Sequence, residues 1–457
     1  MDVAREFART IISAKYENIP PKVVEITKRA ILDTLGCICA GSTAAGIRET
    51  VELVKETGGR QESSIIAHGV RVPAFAAAFA NGSMCHALHY DDVHDASAGH
   101  PSAMTAPGAF AVAERIGKVN GKEFVTALCL GIDMHIRMGL AARLGTPAYV
   151  WNWPAIYGPF GTAAACGRLL GLTEEQIESA FGLILSQVGG SLEPYMSRSL
   201  QGVFSAGFTA QAGVWSTLLA QKGISGVKSS LEGRAGLYNA YFGGKYDREA
   251  LTAGLGNQFE TTEFRIWPCT RGTHGYIEAT LNLRHEHDIQ PLDIEKITVF
   301  CSKRHNFSCE PLEERRNPGT RVDASTSLPW AVAVAAARGK VTIEDYSTEH
   351  LKDPEILQLT QKIVPAYDPG MDLAELKIPG GSVEIRTKGG KTYFKRIDVM
   401  LGSASRPISK EQHIEKFRDC LTYSARPVPK RDADSVIEMI DNLEELDDFS
   451  RIIRLLA

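Results

Sequence analysis

No stretch of this 457-residue chain stays apolar for the roughly 18–20 residues that a bilayer-crossing helix needs. The opening "MDVAREFARTIISAKYENIP" is charged throughout and lacks an apolar core followed by a small-residue cleavage site, so it reads as a first helix rather than a signal peptide. Cysteine is sparse and odd in number. The nine (Cys37, Cys39, Cys85, Cys129, Cys166, Cys269, Cys301, Cys309 and Cys420) sit mostly inside apolar patterns, which excludes a disulfide framework and points to a reducing, cytoplasmic setting. Neither sign of charge dominates: 50 Lys and Arg against 54 Asp and Glu leave a net charge of −4, which excludes a general attraction to nucleic acid or an anionic membrane. The chain also lacks a G-x-x-x-x-G-K-[ST] loop, a G-x-G-x-x-G turn between strand and helix, and a G-x-S-x-G elbow. Nucleotide cofactors therefore have no cradle here, and no cofactor is expected. Cys37-Ile38-Cys39 has no second pair at zinc or iron–sulfur spacing. Repeats and low-complexity tracts are missing as well.

What is present is an ordinary globular composition, 44% hydrophobic and 23% charged, in a chain long enough for two domains. The first 260 or so residues run helix after helix, with small residues at helical spacing in "AFAAAFANG", "AMTAPGAFAVAERIG" and "FGTAAACGRLLG", so that backbones can approach closely. Thr173 with Gln176 and Ser409 with Gln412 have capping-box spacing. Between about Trp267 and Leu401 short β-branched runs appear: "ITVFCS", and the alternating "SVEIRTKGGKTYFKRIDV", which turns at Gly389-Gly390 and reads as a hairpin. One helix, "SLPWAVAVAAARG", intervenes. The expected fold is mainly α, with a large all-helical domain over residues 1–265, an inserted smaller α+β domain over 266–402 and a helical return over 403–457.

The densest chemistry lies in "HALHYDDVHDASAGHPS", His86 to Ser102, which holds four of the twelve histidines and three aspartates. If the preceding helix continues to about Asp92, His86 falls on one face with His89 and Tyr90, and such groups can simply bond neighbouring helix ends. Seven titratable side chains in seventeen positions instead favour a cleft with shifted pKa values. A metal centre competes, since His and Asp are common ligands, but no H-E-x-x-H pattern occurs, and metal-free acid–base work by a histidine whose tautomer an aspartate fixes is preferred.

The segment "AAFANGSMCHALHYDDVHDASAGHPSAMTAPGAFAVAE" resembles the signature of the MmgE/PrpD family. The likeness extends through "ILDTLGCICAG", "GTAAACGRLLGLTEEQI", "WPCTRGTHGYIEA", "DASTSLPWAVAVA" and "PISKEQHIEKF". It implies a helical body with an inserted lid, a homodimer, and action without metal or organic cofactor on a small di- or tricarboxylate bound between body and lid. Residue by residue, the family's H-P-S histidine is His100, and its acidic pair is Asp91 and Asp92. Several positions depart from the pattern. His89 stands where an aspartate precedes the aromatic residue in relatives, and Asn152 in "WNWP" stands where relatives carry histidine. The family's lysine in T-K-[RP]-L has no counterpart, Arg198 being the nearest cation, and Arg265 replaces the lysine of K-x-[FYW]-P, with Cys269 and His274 retained.

These exchanges shift the site from an ammonium-and-carboxylate pair toward imidazole chemistry. The expected enzyme is a cofactor-free lyase moving a proton α to a carboxylate with loss of water or CO2. In it His100 is the main acid or base, His89 assists, Asp91 orients an imidazole, and Arg265, Asn152, Arg198, Cys269 and His274 contact substrate. An isomerase using His100 and His89 as opposed bases, and a non-catalytic carboxylate-binding dimer, are the alternatives. Elsewhere the plainer readings lead: His135 and Tyr157 as core residues, His274 bonding backbone at a helix start, and Arg315-Arg316 after Glu313-Glu314 as a solvated loop of paired charges.

Overall fold

Alanine and glycine set how closely the helices pack. In a computed structural model describing residues 2–142, 150–197, 199–254, 259, 262–372, 378 and 380–457, six long helices frame the first half. They are α1 (Pro21–Gly41), α2 (Ala74–His86), α3 (Pro101–Ile116), α4 (Gly121–Ala142), α5 (Trp153–Leu169) and α6 (Ser205–Gln221). Helices α4 and α5 cross at facing glycines: a Cβ on Gly131 or on Gly161 would stand 2.6 Å from the other's carbonyl oxygen. Any side chain there would push the helices apart. Helix α6 packs on α2 and α5, and α3 on α2 and α5, which leaves the α2–α3 connection at a junction of four helices.

Helix α4 is 22 residues long and apolar enough by composition to cross a bilayer, but 94% of its most apolar window is buried inside the protein. It also carries the buried ion pair Arg137 Nε–Asp133 Oδ2 at 2.6 Å. It serves as a core helix. Both capping boxes form, Thr173 with Gln176 and Ser409 with Gln412.

The β segments form a two-stranded hairpin, β1 (Ser63–Ile65) with β2 (Val70–Val72), and a four-stranded sheet. The sheet has the order β4-β3-β5-β6, from β3 (Ile294–Cys301), β4 (Ile363–Tyr367), β5 (Gly381–Thr387) and β6 (Thr392–Ile397). β5 and β6 are the antiparallel hairpin read from the alternation, while β4 joins β3 in parallel. Helices α7 (His274–His287) and α8 (Leu328–Arg338) pack with this sheet around a hydrophobic cluster drawn from Trp267 to Met400. The clusters under the long helices draw on residues before Arg265 and after Leu401, apart from Ile343. Helix α9 (Lys410–Thr422) returns to pack on α1. The fold is mainly α.

Arg315 departs from the expected solvated loop. It is 4% exposed, on a short helix Leu312–Arg316, and donates to Thr326 Oγ1 at 2.9 Å and to the Glu310 carbonyl. Arg316 makes the expected pair, with Glu313 at 2.9 Å.

Candidate active site

Helix α2 ends at His86 rather than running on to Asp92. Three residues later the backbone of His89 turns to φ 51°, and Ala98 has φ 52° at the far end of the same loop. Left-handed backbone in residues bearing a Cβ is uncommon and concentrates at functional sites. The loop is stapled to the chain before Trp267 by a bridge between Val93 and Glu263, and closes on itself through His94 and Gly99. Gly99 permits the closure, since a Cβ there would lie 2.8 Å from His135 Nε2. Asp92 then starts α3: its carboxylate accepts from the Ser102 backbone N–H at 3.1 Å and from the Ser102 hydroxyl at 2.6 Å, while Pro101 takes the first helical position.

The centre of the site is Asp91. His100 Nδ1 lies 2.9 Å from Asp91 Oδ2, and His86 Nδ1 lies 3.1 Å from both Asp91 oxygens. Arg265 brings Nη1 to 3.7 Å of Asp91 Oδ1 and Nη2 to 3.1 Å of His100 Nδ1. The His86 ring stands edge-on to His100 and to His89, with centroids 4.7 and 5.2 Å apart. On its far side His86 Nε2 meets the Tyr195 hydroxyl at 3.2 Å, and His89 Nδ1 meets the Ser325 hydroxyl at 2.9 Å.

Burial works against every charge here, so partners decide the protonation states. Burial alone would raise the Asp91 pKa, but His86, Arg265 and His100 around it hold the carboxyl well below the usual range. Burial lowers His100 to about 4, outweighing the pull of Asp91, and holds His89 well below its ordinary value. At neutral pH Asp91 is a carboxylate and His100 a neutral imidazole. With its Nδ1–H given to Asp91, His100 keeps Nε2 as a free lone pair, and its side chain is 21% exposed. By contrast Asp92, buried next to Asp91 and Asp33, is raised to about 7 despite the Ser102 bonds that oppose the shift.

The other expected contacts fall around this centre at different depths. Asn152 precedes α5 and lines a cavity of about 100 Å³ together with Tyr195, Gln187 and Ser205. His100 and Arg265 do not line that cavity; Tyr195 is the wall it shares with the imidazole cluster. Cys269 is fully buried against Thr273 Oγ1 at 3.2 Å, burial raising its thiol pKa, within the second hydrophobic cluster. His274 begins α7, stacked edge-on to Trp267 with Nδ1 3.4 Å from Arg271. Arg198 lies outside the described residues. Arg271 is buried and ties the segments together, bonding Asp95 Oδ2 at 3.3 Å, the Leu401 carbonyl at 3.1 Å and Ser403 Oγ at 3.0 Å. His135 and Tyr157 are core residues, Tyr157 donating to the Ser97 carbonyl at 2.7 Å.

Sequence reasoning missed Tyr195, Ser325 and Lys416, each more than a hundred residues from its partner; Ser325 and Lys416 lie in "DASTSLPWAVAVA" and "PISKEQHIEKF", which carry the family likeness but give no local sign of what those side chains meet. His86 was visible in the cluster but not separable from its neighbours. Lys416 on α9 is buried, bonds Asp33 at 2.6 Å, and donates to the carbonyls of Tyr90 at 2.7 Å and Arg265 at 2.9 Å. It thereby fixes both halves of the site to one ammonium.

Ligand atoms of His86, Asp91 and His100 lie within 4.8 Å of one another, close enough to hold a metal ion. The Arg265 guanidinium, however, is set against the same His100 nitrogen and the same Asp91 carboxylate. A fixed positive charge there opposes a divalent cation and favours an anion.

Family models for the MmgE/PrpD N-terminal domain and the MmgE/PrpD C-terminal domain match residues 5–249 and 267–445. The chain is 25% identical to cis-aconitate decarboxylase of Aspergillus terreus over 475 residues, covering 99% of this chain and 96% of that one. It is also 25% identical to human cis-aconitate decarboxylase, over 99% of this chain and 94% of the relative. The 2-methylcitrate dehydratase of Salmonella typhimurium is likewise 25% identical, with 96% and 95% covered. With matches on either side of Arg265 and relatives aligned nearly end to end, this chain belongs to the MmgE/PrpD family.

Proposed function

We propose that the protein is a lyase for a small di- or tricarboxylate, removing CO2 or water after proton transfer at the carbon next to a carboxylate. The observation that carries this reading is the pairing of Arg265 with His100. Arg265 is 3% exposed, and among the described residues its Nε and Nη1 have no hydrogen-bond acceptor, so a substrate carboxylate would meet buried N–H donors of a guanidinium beside a neutral imidazole. His100 takes or gives the proton through Nε2, with Asp91 fixing its tautomer. His89, held by Ser325, assists from the other side of His86. Asn152 contacts substrate from the cavity wall, with Cys269 and His274 as further contacts. The segment around the four-stranded sheet acts as a lid whose closure excludes water and strengthens the donors that meet the developing negative charge. The proposal includes a homodimer in a reducing cytoplasm, where nine buried free thiols would persist.

The test is to incubate the purified protein separately with cis-aconitate and 2-methylcitrate, the compounds in the relatives' names, and to follow both by proton NMR. Loss of CO2 or exchange of water in either supports the reading. No reaction and no thermal stabilisation by either compound overturns it. Deuterium entering recovered substrate without loss of CO2 or water assigns isomerase chemistry instead.

A further inference from the structure

Asp91 serves two imidazoles at once, and the second leads somewhere. His86 gives its Nδ1 side to both Asp91 oxygens at 3.1 Å, which leaves Nε2 facing the Tyr195 hydroxyl at 3.2 Å. Tyr195 comes from a short helical turn, Glu193–Met196, 109 positions away, and its ring also stands beside His89 with centroids 6.2 Å apart. The same hydroxyl reaches the Gly202 carbonyl at 3.2 Å and Ser205 Oγ at 3.4 Å, so its single proton has three acceptors, His86 Nε2 among them, and can swing between them. Beyond it is the cavity of about 100 Å³, whose wall adds the polar groups of Asn152, Gln187, Gln201 and Thr209. A chain of Asp91, His86 and Tyr195 thus runs from the buried carboxylate to the cavity surface, separate from the exposed edge of His100.

We propose that Tyr195 is a second proton carrier of this site, passing protons between bound substrate and His86 Nε2, with Asp91 holding the imidazolium that results. The inference rests on the lyase reading above. In the forward step the substrate C–H bond breaks and its electron pair stays on the substrate as an enolate. His100 Nε2 takes that proton; Tyr195 Oη then gives its own proton to the other face or to a leaving hydroxyl and regains one from the His86 imidazolium through Nε2, and run backwards it takes a proton there while its own moves to His86 Nε2. Burial raises the phenol's pKa, which disfavours a standing phenolate and suits a hydroxyl that gives up one proton as it takes another.

Tyr195→Phe removes the hydroxyl and keeps the ring, and His86→Gln keeps a polar group toward Tyr195 but cannot become an imidazolium. With cis-aconitate and 2-methylcitrate as probes in D2O, each variant is expected to lower kcat about 100-fold or more while KM moves less than threefold. The double variant should be no worse than either single one, because both break one chain. If the wild type reacts and Tyr195→Phe retains kcat within threefold, or if the two losses multiply, the relay is overturned and the lyase reading stands. If the wild type reacts with neither probe, both fall together. A variant that does not fold, judged by thermal denaturation, leaves the decision to the other.

Discussion

Arg265 Nη2 lies 3.1 Å from His100 Nδ1, although 165 positions separate the two residues. That nitrogen can serve only one partner. With Asp91 ionised 2.9 Å away, the imidazole gives it Nδ1–H, and Arg265, whose Nη1 is 3.7 Å from the same carboxylate, keeps N–H donors without a hydrogen-bond acceptor among the described residues. One carboxylate therefore does two things: it exposes a basic Nε2 on His100 and keeps Arg265 free for an anion.

If Arg265 is that anion's anchor, Arg265→Lys keeps the charge but loses the fork, and KM should rise about 10- to 100-fold with kcat less affected. Arg265→Gln should cost about 3–4 kcal/mol of transition-state binding, about 100- to 1,000-fold in kcat/KM. Steady-state kinetics on whichever carboxylate reacts would check both. Equal activity in all three proteins would rule out the anchor.

His100 must be neutral to act as a base. Its pKa of about 4, set by burial against the opposing pull of Asp91, places the acid limb of kcat/KM near pH 4 rather than near the ordinary imidazole value. His100→Gln should reduce kcat by about 10²–10⁴-fold. A pH–rate profile whose acid limb centres near 6.5 would contradict the protonation state assigned here.

Asp92 offers a stability test separate from activity. Its carboxyl is raised from 3.8 to about 7, so between those values the unfolded chain gives up its proton while the folded chain keeps it. Stability tied to this group is complete below pH 4 and is lost as the pH rises toward 7, by at most about 4 kcal/mol. Asp92→Asn, which cannot ionise, should gain melting temperature relative to the wild type as the pH is raised from 4 to 8. A difference in Tm that stays constant across that range would show that Asp92 ionises freely in the fold.

Gly99 carries the loop past His135. Adding one methyl places carbon 2.8 Å from His135 Nε2 and 2.9 Å from Ser97 Oγ, so Gly99→Ala must displace the segment that ends at His100. The expected cost is about 1–3 kcal/mol in chemical denaturation, together with a fall in kcat from the misplaced imidazole. Unchanged stability with unchanged kcat would mean that the loop has slack.

Local rules made several elements legible in advance. The hairpin of β5 and β6 follows from alternation and a glycine pair, and the capping boxes at Thr173 and Ser409 need only four residues each. The parallel strand β4 was not legible, because "IVPAY" carries too short a pattern and gains its partner from β3 more than sixty positions earlier. The run past His86 misled for a similar reason. Nothing local ends that helix; the turn at His89 is held by Ser325, and Tyr90 by Lys416, both supplied by distant segments.

By itself the sequence determined the helical body, the family, and the crowding of imidazole and carboxylate between His86 and His100, because periodicity, capping and motif spacing are properties of neighbouring residues. Which imidazole is held by Asp91, which guanidinium is left without an acceptor, and that Tyr195 closes on His86 were decided only by the tertiary structure. Those depend on burial and, for Arg265 and Tyr195, on contacts between residues more than a hundred positions apart, where desolvation sets the charge of each group and packing sets its partner.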